Sequence, residues 1–143
     1  MLNVAQTTQF SITVENSNNV EIVLIDGFED IMPAGLSVAS IPNSTCGGAT
    51  DFGSTDRVGL ISGTTIPGNS SCTVTVNVEA TAPGLHCNLI PFNSVIVEVQ
   101  APGGAIPTSN EDLAEACVEV VNDPVFDLAL RKTLAPMHSD TVE

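Results

Sequence analysis

The sequence predicts an all-β chain, a sandwich or barrel of short strands. Three observations predict it. Apolar and polar residues alternate with period two, the apolar set is mostly Val, Ile, Leu and Ala, and Gly and Pro punctuate the apolar runs at strand-like spacing. The chain has no Trp, no Tyr and 5 Phe. Val, Ile and Thr lose χ1 freedom in helices and suit pleated, half-buried surfaces. With 43% of its 143 residues hydrophobic, the chain can bury a core of one domain.

The elements follow in chain order. Phe10, Ile12 and Val14 alternate with Ser11 and Thr13. Cys72, Val74, Val76 and Val78 alternate with Thr73, Thr75 and Asn77. Val95, Val97 and Val99 alternate with Ile96 and Glu98, and Cys117 opens a run through Val118, Val120 and Val121. Shorter strands are expected over Val20–Ile25, Leu36–Ala39, Val58–Ile61, His86–Ile90 and Phe126–Leu130. Turns are expected at Pro33-Ala34-Gly35, Cys46-Gly47-Gly48 and Pro67-Gly68-Asn69-Ser70. Pro102-Gly103-Gly104 opens an expected polar loop to Asn110, and one helical turn is expected over Asn110–Ala116, capped by Ser109 or Asn110.

The chain changes character at Asp123-Pro124. Residues 1–122 are read as the sandwich module, and 123–143 as a linker and strand leading to a next repeat or subunit. Phe126, Leu128 and Leu130 are the candidate assembly residues of that strand. It could pair with this module's own edge or be donated to a neighbouring copy. Met1-Leu2-Asn3-Val4-Ala5-Gln6 reads as mid-protein sequence, so an export signal is expected upstream.

Seventeen acidic residues against three basic ones give a formal net charge of −14. Phosphate binding needs Lys and Arg to displace counterions, so nucleic acid is excluded as a direct partner. No apolar run is long enough to span a bilayer, so no membrane insertion is expected. Cys46, Cys72, Cys87 and Cys117 form no closely spaced pair of the kind that holds zinc, which argues for disulfides. Three connectivities remain open, and any of them implies an oxidising, extracellular or cell-surface compartment.

The side-chain chemistry points away from catalysis, and no enzyme is expected. His86 sits inside a strand beside Cys87, and an oxidised Cys87 cannot serve as a nucleophile. Adjacent acids such as Glu29-Asp30 or Glu111-Asp112 point to opposite faces of a strand. Calcium suits the acids better: Asp26, Glu29 and Asp30 form the candidate metal cluster, with Asp123 and Asp127 flanking the junction to the tail. Lys132 raises the question of an isopeptide bond, since surface β-modules sometimes join a Lys to Asn or Asp near a buried acid. Arg131 beside it suggests an ordinary edge strand kept soluble by charge. Asn43-Ser44-Thr45 and Asn69-Ser70-Ser71 match the glycosylation sequon but read as Asn/Ser-rich turns.

Several segments resemble bacterial conserved-repeat (DUF11-like) domains, immunoglobulin-like modules strung along large surface proteins. Phe28-Glu29-Asp30-Ile31-Met32-Pro33-Ala34-Gly35-Leu36-Ser37-Val38 is similar to their "ftDtLPaGltv" segment. Asn43-Ser44-Thr45-Cys46-Gly47-Gly48 is similar to their "stCgG" loop, and Ile66 to Val76 to "lpaggsCtvtv". Gly84-Leu85-His86-Cys87-Asn88-Leu89-Ile90 is similar to "GtytNtI", and Phe126 to Leu134 to the "fDLaLrKtl" strand that opens a further repeat. The resemblance runs in order over residues 7–134 and implies a Cys46–Cys72 bridge. A Cys87–Cys117 bridge is expected beside it, at a position where the pattern often has an aromatic residue or Thr. The resemblance brings no catalytic residues. It implies an immunoglobulin-like antiparallel β-sandwich that serves as a structural spacer repeat of an extracellular protein or filament, with neighbouring copies as partners. The alternative is an adhesive module recognising a glycan or protein through its end loops.

Overall fold

Inward-facing valines set the longest ladder of the fold. A computed structural model describes residues 1–122, and in it β2 (Thr7–Asn16) pairs antiparallel with β10 (Ser70–Ala80) over ten register positions from Ser70↔Asn16 to Glu79↔Thr7. Cys72, Val74, Val76 and Val78 point into the core, while Thr73 and Thr75 face solvent and meet Thr13 and Ser11 across the ladder. Period-two burial is what the sequence alternation demands of a half-buried antiparallel pair.

The other elements are β1 (Leu2–Asn3), β3 (Ile22–Leu24), β4 (Phe28–Ile31), β5 (Leu36–Val38), β6 (Asn43–Ser44), β7 (Ala49–Thr50) and β8 (Arg57–Leu60). They continue with β9 (Thr65–Ile66), β11 (Gly84–Ile90), β12 (Ile96–Ala101), β13 (Gly104–Ser109) and β14 (Ala114–Val121). Four sheets result: β1-β14-β11, β2-β10-β5 with β6 also on β10, β13-β12-β3-β9, and β4-β8-β7. Every pairing is antiparallel except β1 with β14. The chain is an all-β, immunoglobulin-like sandwich.

The core gathers Ile22 and Leu24 of β3, Phe28 of β4, Val58 and Leu60 of β8, Ile66 of β9, the β10 valines and Val97 of β12. Burying each such side chain contributes about 1.5–3 kcal/mol. The bend into β5 uses Gly35 at φ +103, a left-handed region closed to most side chains. The His86 ring lies over that glycine, 2.2 Å from where a Cβ would sit.

Two expectations are corrected. The polar loop to Asn110 is a hairpin, with β13 paired to β12 from Ile96↔Ser109 to Ala101↔Gly104. β13 is an outer strand exposed along nearly its whole length, so it carries no alternation to read, and an outer strand tolerates Pro107. The helical turn is absent: residues 111–112 form a bend and β14 already begins at Ala114. Asn110 acts there as a loop clamp. Its Oδ1 accepts from the Ser94 and Val95 backbone N–H groups, and its Nδ2 donates to the Pro91 and Asp112 carbonyls. The tail strand with Phe126, Leu128 and Leu130, and the segment 123–143 as a whole, lie outside the described residues.

Candidate functional site

The residues expected to form a cation cluster are dispersed by the strand that carries them. Alternate positions of β4 face opposite ways, so Phe28 and Asp30 point inward while Glu29 and Ile31 point out. Glu29 accepts from Arg57 Nη1 at 2.7 Å, and Asp26 sits exposed in the bend before β4. Arg57 also donates to Asp56, whose carboxyl it holds down at about 2. Glu29 and Asp30 point to opposite faces, and the three carboxylates do not form a converging group. Among the described residues, the set of possible ligand atoms that does converge is Cys87, Glu115 and Cys117, and its two sulfurs are bonded to each other.

Two disulfides staple the sheets. Cys46, just beyond β6, bonds Cys72 of β10, and Cys87 of β11 bonds Cys117 directly opposite on β14. With Cys87 oxidised there is no thiol for catalysis. His86 places Nε2 2.7 Å from the Ala82 carbonyl, which can only accept, so this nitrogen carries the proton.

Asp30 is 2% exposed and is the polar centre of the interior. Its partner is Asn88 of β11, buried likewise and 58 positions away in sequence. Asn88 Nδ2 donates to Asp30 Oδ1 at 2.9 Å and to the Ile31 carbonyl at 3.2 Å. These bonds join β4 to β11, two strands that share no ladder. Asp30 Oδ2 is buried with no hydrogen-bond partner among the described residues. Burial pushes the Asp30 carboxyl up to about 6, although the Asn88 hydrogen bond pulls the other way.

A cleft flanks each member of the pair. One, of about 190 Å³, is lined by Phe28, Asp30, Leu89, Pro91 and Ser94. The other, of about 230 Å³, opens between β2 and β14 and is lined by Phe10, Leu36, Val78, Asn88, Ala116 and Cys117. An acid held near neutrality beside a fixed carboxamide, both reachable from clefts, can move a proton to or from that amide. Sequence reading placed Asp30 in the candidate metal cluster and overlooked Asn88. The signal available was spacing: Phe28, Asp30 and Met32 fall on one face at i, i+2 and i+4.

The outer margin of this region is open. Ala114, Glu115, Ala116 and Cys117 of β14 are exposed on both faces of the strand. One edge of β14 pairs with β11, and among the described residues its other edge pairs only at Val120 and Val121, with β1. On β11, Leu85 and Leu89 are also exposed, at 70% and 47%.

A cohesin module from a family 33 glycoside hydrolase of Clostridium perfringens is similar in structure, with a TM-score of 0.52 and 15% sequence identity over 85% of this chain and 90% of that one. At that identity the likeness speaks for the fold. A family 123 glycoside hydrolase from Clostridium perfringens shares 12% identity at a TM-score of 0.39, over 85% of this chain and 22% of that one, too little to support an argument. No curated protein matches the sequence. The family model of a domain of unknown function, DUF7933, matches residues 1–116. This match and the sandwich fold fit the broad expectation of a bacterial immunoglobulin-like domain, and two disulfides fit an extracellular one. The chain belongs to the DUF7933 family.

Proposed function

We propose that this chain is a structural spacer repeat of an extracellular bacterial surface protein or filament, of the conserved-repeat kind, and that it assembles with neighbouring copies by strand addition. The observation that carries the reading is the open edge of β14. Among the described residues, β14 is exposed on both faces over Ala114–Cys117 and unpaired along most of one edge, and such a strand is a template for another. The −14 net charge keeps such an edge soluble until a matching segment meets it. Sedimentation of the purified chain over a range of concentrations, with electron microscopy of the same samples, tests this. End-to-end oligomers that grow with concentration are expected, and strict monomers would sink the assembly reading.

The second reading is an adhesive module, favoured by Phe92, which is 61% exposed on the loop that follows β11. One exposed ring gives a sugar little to stack on. Binding on a glycan array that is lost in Phe92→Ala would favour this reading over assembly.

A further inference from the structure

We propose that Cys87, Cys117 and Glu115 form a zinc site that becomes available when the Cys87–Cys117 disulfide is reduced. Calcium takes six or more oxygen ligands, and the acids expected to supply them do not converge. The group that does converge has a different chemistry. Two sulfurs and one carboxylate oxygen, all within 4.8 Å of one another, make a ligand set for zinc or cobalt. Chain spacing hides it, because Cys87 and Cys117 are 30 residues apart and only the fold sets them side by side.

The strands hold the three groups in place without the sulfur–sulfur bond. Cys87 and Cys117 are register partners in a ladder that runs from Gly84↔Val120 to Ile90↔Ala114, and β1 pairs with the far end of β14. The backbone therefore keeps the two thiols facing each other once the bond is broken. Side chains at i and i+2 share one face of a strand, which puts Glu115 beside Cys117. Both are exposed, so a metal ion can reach them from solvent. Zinc at about 2.3 Å from each sulfur needs them about 3.8 Å apart, a separation that rotation about χ1 supplies. A fourth position is left for water. Glu119 follows on the same face, and a chain of formal net charge −14 draws cations towards it.

The chemistry is a two-electron reduction followed by exchange of protons for metal. A dithiol reductant gives two electrons and two protons to the bridge. Its own sulfurs join, the Cys87–Cys117 bond breaks and both cysteines become thiols. Zn2+ then displaces the two thiol protons, which pass to water, and binds both thiolates and the Glu115 carboxylate. Metal held on both sulfurs blocks the thiolate attack that would remake a disulfide, so the site locks the reduced state.

The test uses the 143-residue chain, opened with limiting dithiothreitol and freed of reductant by gel filtration under nitrogen. Alkylation and peptide mapping of an aliquot confirm that Cys87 and Cys117 are the free thiols. Cobalt(II) is the probe. The expected result is one equivalent bound, with a thiolate-to-cobalt charge-transfer band and the visible bands of a tetrahedral centre, both bleached by Zn2+. The oxidised chain should show neither. Glu115→Gln should keep the charge-transfer band and weaken cobalt binding by about tenfold or more. An opened chain without that band overturns the proposal, as does loss of the strand signal in circular dichroism when the bridge opens. The same band in fully reduced Cys87→Ser/Cys117→Ser would put the metal on the other cysteines and also overturns it. Unchanged affinity in Glu115→Gln overturns the three-ligand site.

Discussion

Asn88 Nδ2 and Asp30 Oδ1 lie 2.9 Å apart in the interior, the donor on β11 and the acceptor on β4. Burial raises the acid from an ordinary 3.8 to about 6, so the folded chain holds this proton more tightly than the unfolded chain does. The contribution to stability is therefore complete below about pH 3.8 and is lost as pH rises through about 6. Its size is on the order of 1–2 kcal/mol, discounted because the adjacent cleft admits solvent. Asp30→Asn should flatten the stability profile between pH 4 and 7 relative to the native chain, as measured by urea melts across that range. Parallel profiles for the two would refute the assignment.

Gly59 faces Glu29 across the β4–β8 ladder, and a Cβ there would lie 1.9 Å from the Phe28 carbonyl oxygen. That oxygen is backbone and cannot swing away. Gly59→Ala should cost about 2–3 kcal/mol or more through forced separation of the strands, while Gly103→Ala, which meets open space, should stay within about 0.5 kcal/mol. Denaturant midpoints of the two variants decide it. A Gly59→Ala chain as stable as the Gly103→Ala chain would mean that the strands are not held this close.

What could be read from the sequence was what periodicity encodes. Cys72 to Val78 announces β10 because each apolar side chain is buried and each intervening residue is not. β4 was hidden because one of its inward positions is an acid, which makes Phe28-Glu29-Asp30-Ile31 look like a charged loop. β13 was hidden because its pairing is made by backbone alone, with almost no face to bury. The Asp30–Asn88 contact lies beyond any local pattern. It exists because β4 and β11 are brought together by the packing of sheets, and neither residue signals the other across 58 positions.

Asn16 is 2% exposed at the end of β2 and organises the connection to β3. Its Nδ2 reaches the carbonyls of Val20, Ile66 and Pro67, and its Oδ1 accepts from the backbone N–H of Asn18. Asn16→Ala leaves those groups unpaired and should cost about 1–3 kcal/mol or more. Asn16→Asp keeps the shape but turns a carboxylate oxygen toward the carbonyls, so it should be worse than Ala near pH 7 and recover as the acid is protonated. Thermal melts of both variants at neutral and acidic pH check the order. Asp matching Ala at both would show that the carbonyl contacts carry no weight.

The two disulfides close stretches of similar length, with separations of 26 and 30 residues, so chain entropy gives each about 3–4 kcal/mol. What distinguishes them is access. Cys72 is 5% exposed among the β10 valines, whereas Cys117 is exposed on the open strand β14. A reductant thiolate must reach a sulfur to attack it, so Cys87–Cys117 should open first under limiting dithiothreitol at neutral pH. Alkylation at short times followed by peptide mapping should find label on Cys87 and Cys117 before Cys46 and Cys72. Opening that bridge leaves β14 held to β11 by their backbone ladder alone. Covering the β14 edge with another strand should slow the reduction by shielding Cys117, so a reduction rate that falls as oligomers form would link the exposed sulfur to assembly. Label arriving first on Cys46 and Cys72 would contradict the burial order and, with it, the picture of β14 as the open side of the module.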